Sequence, residues 1–130
     1  MLRGPSGSGK SDLALRLIEG GARLIADDQT ELREIGGGVH LSAPASIAGQ
    51  MEIRGLGIVR VPQQASAPLR LVVDLVPPEA IERLPEPLFC RFFSCAVPRL
   101  LLAPFEASAP AKLRAALRAV FPAIAHAGNQ

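Results

Sequence analysis

The chain contains no tryptophan and no tyrosine, and phenylalanine alone supplies its 4% aromatic content. The usual stacking platforms for nucleobases are therefore missing, and a base, were one bound, would have to be held by apolar side chains. Cysteine is scarce as well. Cys90 and Cys95 have neither the spacing of a zinc knuckle nor that of a redox pair, so buried free thiols are expected. No stretch reaches the ~18 consecutive apolar residues that mark a membrane-spanning helix, so no membrane partner is expected. The net charge is only +2, with Lys and Arg scattered instead of drawn into a stripe, and this leaves no electrostatic footprint for a nucleic-acid partner.

What is present begins at once. Gly4-Pro5-Ser6-Gly7-Ser8-Gly9-Lys10-Ser11 fits the phosphate-cradling pattern G-x-x-x-x-G-K-[ST] at each required position. Glycines at both ends allow backbone conformations that a β-carbon would forbid, so successive N–H groups can turn inward on a polyphosphate. Lys10 is placed to reach phosphate and the Ser11 hydroxyl to ligate Mg²⁺, while a helix opening on the loop adds its positive dipole end. Leu13, Ala14, Leu17 and Ile18 recur at helical spacing and Gly20-Gly21 supply a stop, which predicts a helix over 10–19. That context favours a nucleotide or polyphosphate site over a Gly/Ser-rich surface turn.

With 130 residues, 48% of them hydrophobic, the chain is expected to form one domain over 1–130 with a real core. The amino terminus opens straight into the phosphate loop instead of a leader peptide, and the expected compartment is the cytoplasm. Only Met1-Leu2-Arg3 precede Gly4, a short allowance for the strand that such a loop hangs from, so the first strand reads as truncated.

Farther on, 22–26 reads as a short buried strand ending in Asp27-Asp28. A carboxylate pair at a strand end beside a phosphate loop suits metal or proton handling, although aspartate at a strand end also suits a plain solvated turn. Alternation over 30–35 and 39–41 around Gly36-Gly37-Gly38 predicts a β-hairpin carrying His40, which reads, like His126, as a surface or satisfied histidine. Over 51–61, Glu52 and Arg54 share one face of an extended segment that Gly55 and Gly57 break. Such a pair fits metal–phosphate handling or an exposed edge strand. The run over 69–76 predicts a central strand stopped by Pro77-Pro78; a helical turn is expected over 79–84 and strands over 89–93 and 99–102. A final helix begins near Ser108 and Pro110, with Leu113, Ala116, Leu117 and Val120 as its apolar stripe.

Laid out in this order, the residues resemble the catalytic domain of the HPr kinase/phosphorylase family, bacterial enzymes acting on a seryl residue of the phosphocarrier protein HPr. The resemblance rests on the loop and helix over 4–19, on Gly21-Ala22-Arg23-Leu24-Ile25-Ala26-Asp27-Asp28, and on Met51-Glu52-Ile53-Arg54-Gly55-Leu56-Gly57-Ile58, which looks like the family signature. It implies an α/β P-loop kinase domain with a mixed β-sheet, a helix after the P-loop and a C-terminal helix, in the short form found in some proteobacteria. By the same resemblance Gly4 to Ser11 hold ATP, and Lys10 is the phosphate-binding lysine. Ser11 and Glu52 contact Mg²⁺. Asp28 accepts the proton of the substrate serine, with Asp27 in the same catalytic cluster, and Arg83 matches a catalytic arginine. The implied partners are HPr, a nucleotide donor or pyrophosphate, and inorganic phosphate in a reverse phosphorolysis, within a homo-hexamer. A family histidine ahead of the loop and an amino-terminal domain have no counterpart, and Ala103-Pro104-Phe105-Glu106 stand where the family carries a basic loop. A small-molecule P-loop kinase and a non-catalytic nucleotide sensor are the alternative readings.

Overall fold

A run with an aliphatic residue at nearly every position needs apolar partners on both faces, and the run over 69–76 has them. The computed structural model describes residues 1–128; side chains beyond Ala119 and that of Ser46 lie outside the description, and with them the expectations placed on Val120 and His126. In chain order the elements are β1 Leu2–Arg3, α1 Lys10–Glu19, β2 Glu31–Ile35, β3 Gly38–Ser42, β4 Gln50–Ile53, β5 Gly57–Arg60, β6 Ser66–Pro68, β7 Val72–Leu75, β8 Leu88–Phe92, β9 Cys95–Leu102 and α2 Ala109–Gly128, with 3₁₀ turns at Ala45–Ile47 and Pro78–Ala80.

The main sheet has four strands in the order β1-β7-β9-β8. β1, β7 and β9 run parallel, and β8 returns antiparallel to β9. The fold is therefore α/β with a mixed sheet. Because side chains alternate across a strand, β7 divides its contacts: Val73 and Leu75 join Leu13 of α1, Leu102, and Ala109 and Leu113 of α2 in one apolar cluster. Val72 turns the other way, onto Val39, Leu41, Leu69 and Val97. The second sheet, β2-β3-β6, covers that face, so the main sheet lies between a helical layer and a β layer. Leu13 is fully buried; burial of such a side chain contributes about 1.5–3 kcal/mol, which is what fixes the start of α1 against the sheet.

The helix over 10–19 and the glycine-turned hairpin form as the patterns predict. Three segments differ. Residues 22–26 form no ladder strand: only a parallel bridge between Leu24 and Gln63 is present, because the segment pairs with the coil over 62–64 and not with a strand. Residues 51–61 form a separate antiparallel hairpin, β4-β5, with Met51 opposite Val59 and Glu52 opposite Ile58; Gly55 and Gly57 lie at positive φ and make the turn. The helical element expected over 79–84 is reduced to the 3₁₀ turn at Pro78–Ala80, because the backbone at Ile81 is already extended, with φ of −97° and ψ of 123°. Cys90 and Cys95 are free and half-buried. Among the described residues no helix is long and apolar enough to cross a membrane.

Candidate active site

β1 contributes only Leu2 and Arg3, paired with Val73 and Asp74, yet it delivers the chain to the C-terminal edge of the parallel strands, where open α/β sheets bind ligands. From there Gly4, Pro5, Ser6, Gly7, Ser8 and Gly9 loop into α1. The Ser8 amide donates to the Pro5 carbonyl at 3.0 Å and the Leu13 amide to the Gly9 carbonyl at 2.9 Å. Gly7 and Gly9 have φ of +82° and +96°, the left-handed region that side chains resist. The loop also closes on itself: a β-carbon at Gly4 would lie 2.4 Å from Ser8 Oγ. Lys10 and Ser11 open α1, half-buried, and line a cleft of about 370 Å³ that also receives Asp27.

The acidic corner is positioned by main-chain bonds. The Leu24 amide donates to the Pro62 carbonyl at 2.8 Å and the Gln64 amide to the Leu24 carbonyl at 2.9 Å, which ties the segment ahead of Asp27 to the coil after β5. Asp27 Oδ2 then accepts the main-chain N–H of Glu52 at 3.0 Å, locking β4 to the corner. Asp27, Asp28, Gln50, Glu52 and Ile58 line a second cleft, of about 270 Å³. Asp27 belongs to both clefts; it joins the lysine and serine of the loop to the outer carboxylates. Asp28 and Glu52 are exposed. Arg83 is exposed on the segment before β8 and lines neither cleft, so the structure does not bring it to the other candidates.

Two features beneath and beside the loop escape a reading of the sequence. Asp74 of β7 is gripped by Arg3, whose Nε and Nη2 donate to its two oxygens at 2.7 and 2.9 Å, and by Arg99 of β9. The Arg3 hydrogen bonds hold the Asp74 carboxyl below its ordinary range against the opposing effect of burial, and Arg99 adds to the lowering. This ion cluster staples β1, β7 and β9 together directly under Gly4. Its only trace in the sequence is a lone aspartate inside an aliphatic run. The second feature is the connection from β9 to α2, where Arg16 of α1 donates to the carbonyls of Pro104 and Glu106.

The donor chemistry of the corner suits a polyphosphate with a hard cation. Loop amides, Lys10 and the amino end of α1 are all donors or positive ends, in a loop packed so closely that a β-carbon at Gly4 would strike Ser8 and one at Gly9 would press on Phe105 and Pro104. Among the described residues no three His, Cys, Asp or Glu side chains gather to cage a metal. One hydroxyl, Ser11, with one or two carboxylates is the sparse set that Mg²⁺ uses when phosphate oxygens complete its shell.

The profile of the family described as "HPr Serine kinase C-terminal domain" matches residues 1–83. The HPr kinase/phosphorylase of Clostridium tetani is 48% identical over 62 residues, which are 48% of this chain and 20% of the relative. That of Exiguobacterium sibiricum is 48% identical over 61 residues, 46% of this chain and 20% of the relative. The matched part thus spans about a fifth of these curated relatives. The solved structure of the Hpr(Ser) kinase/phosphatase from Coxiella burnetii superposes with a TM-score of 0.84 at 24% identity, covering 98% of this chain and 86% of that one, which shows the same fold.

Proposed function

The chain belongs to the HPr serine kinase C-terminal domain family, and from that premise we propose that residues 1–130 act as a kinase domain that phosphorylates a seryl hydroxyl of an HPr-type phosphocarrier protein with ATP, and that they also run the reverse phosphorolysis. The observation that carries this reading is the position of Asp27, shared between the cleft of Lys10 and Ser11 and the cleft of Asp28 and Glu52.

Phosphoryl transfer asks a protein mainly for positioning and for neutralisation of spread negative charge. Mg²⁺–ATP, when bound, would supply the electrophilic γ-phosphoryl group, with ADP as the leaving group. Lys10 and the main-chain N–H groups of Ser6 to Ser11 would bind and neutralise the phosphates, and Ser11 and Glu52, on the two clefts that Asp27 joins, would hold the cation. Asp28, exposed to an incoming protein, orients the attacking serine and takes its proton. In the reverse direction the protonated Asp28 returns that proton to the leaving serine oxygen, and inorganic phosphate is the attacking group. Asp27 holds the Glu52 strand in place through the bond from its amide. Arg83, on its exposed segment, would reach the phosphoryl group only when substrate or a neighbouring subunit of a homo-oligomer brings it in. A phosphocarrier substrate of this kind places the reaction in the cytoplasm.

Incubation of the purified chain with labelled ATP, Mg²⁺ and the host's HPr tests the reading, with label expected on a serine. Asp28→Asn is expected to cut turnover about 10²–10⁴-fold, the range for one general acid/base group, with ATP affinity retained. Binding of ATP without any transfer, in an intact protein, would overturn the kinase reading in favour of a nucleotide sensor. Label on a metabolite with none on HPr would overturn the choice of a protein acceptor.

A further inference from the structure

Because β1, β7 and β9 are parallel, the connection leaving β9 emerges at the same sheet edge as the phosphate loop. This connection, residues 103–108, is held down firmly. Ala103 and Pro104 are buried, and Arg16, itself paired with Asp12 at 2.9 Å, donates to the Pro104 and Glu106 carbonyls. The Ala109 amide donates to the Glu106 carbonyl at 3.1 Å. From this anchored strap Phe105 projects, 72% exposed. Its ring edge lies against Gly9, the last glycine of the cradle, just outside the cleft that Lys10 and Ser11 line: a β-carbon built at Gly9 would lie 3.0 and 3.1 Å from Phe105 Cζ and Cε1.

An aromatic ring left in solvent on a rigid strap is an unsatisfied apolar surface. Two other exposed phenylalanines, Phe89 and Phe93, lie on or just after β8, at the opposite edge of the sheet from β1. Among the described residues Phe105 is thus the aromatic side chain at the cradle, in a chain that has no tryptophan or tyrosine to serve instead. We infer that Phe105 is the nucleoside platform of this site, the apolar surface on which the base of a bound nucleotide packs while Lys10 and the loop amides hold its phosphates. Arg16 is the positioning residue that fixes the strap. The inference rests on the nucleotide-site reading above and adds to it the residue that distinguishes a nucleotide from a bare polyphosphate.

The test is calorimetric titration of Mg²⁺–ATP and of Mg²⁺–tripolyphosphate into the wild-type chain, Phe105→Ala and Phe105→Trp. Since base–aromatic stacking is worth a substantial factor in affinity, Phe105→Ala is expected to raise the Kd for ATP about 5- to 150-fold and to leave that for tripolyphosphate within about twofold. Phe105→Trp is expected to retain ATP affinity. As the only indole in the chain it should be quenched by ATP and not by tripolyphosphate, which gives a readout even if the alanine variant folds poorly. Equal weakening of both ligands would make the ring a support for Gly9 and overturn the inference, as would unchanged or tightened ATP binding or an indole indifferent to ATP. If the wild-type chain binds both ligands and only the discrimination is absent, this inference alone falls. If it binds neither, the nucleotide-site reading falls with it.

Discussion

Replacing Asp74 with asparagine removes the charge that holds β1 under the phosphate loop, and the size of the effect follows from its surroundings. The Asp74 side chain is 16% exposed, whereas those of Arg3 and Arg99 are 41% and 32% exposed. These are partly solvated, charge-assisted hydrogen bonds, worth about 1–3 kcal/mol together after screening. Arg3 hydrogen bonding, opposed by burial and assisted by Arg99, depresses the carboxyl from its ordinary value of 3.8. The folded state therefore binds the proton less readily than the unfolded chain does. The stabilisation is full above pH 3.8 and is lost as pH falls through the depressed folded value. In thermal unfolding at pH 7, Asp74→Asn is expected to lower Tm by ~3–6 °C per kcal/mol in a domain of this size. The gap to wild type should shrink steadily as the pH is taken below 3.8, since the other carboxylates titrate alike in both proteins and cancel. A gap that stays constant down to pH 2 would show that shape, not charge, holds the cluster.

Other outcomes follow from single contacts. Gly7 and Gly9 share a positive φ, but a β-carbon at Gly7 meets nothing within 4 Å while one at Gly9 meets Phe105 and Pro104. Both alanine variants should lose about 1–2 kcal/mol to backbone strain, and Gly9→Ala should lose more and bind tripolyphosphate more weakly; equal denaturant midpoints would contradict this. Asp27→Ala should cost about 0.5–1.5 kcal/mol through the lost bond from the Glu52 amide. The exposed Asp28→Ala should stay within about 0.5 kcal/mol of wild type, and urea unfolding of the pair separates the anchoring acid from the free one. Leu13→Ala, at a fully buried position, should cost about 2–5 kcal/mol, visible as faster amide exchange along α1.

Local chemistry was legible from the residues alone wherever neighbours in sequence decide the conformation. The helix over 10–19 is bounded by glycines and carries its own apolar period, so it forms as read, and the glycine run between β2 and β3 turns the hairpin it announces. The loop and the acidic corner were likewise nameable from residue types and spacing. Where a partner far along the chain decides, the pattern was silent. Residues 22–26 have strand composition, but the neighbour they meet is a coil, so their backbone bonds go to the Pro62 carbonyl and the Gln64 amide. Arg3 and Asp74 lie 71 positions apart, and no local period announces that they meet. That Phe105 rests against Gly9 was decided when parallel strands brought separate loops to one edge of the sheet, and that Asp27 belongs to two clefts was decided by the bonds that tie its segment to the 62–64 coil and to Glu52; such meetings across a fold depend on chain topology, which local propensity does not encode.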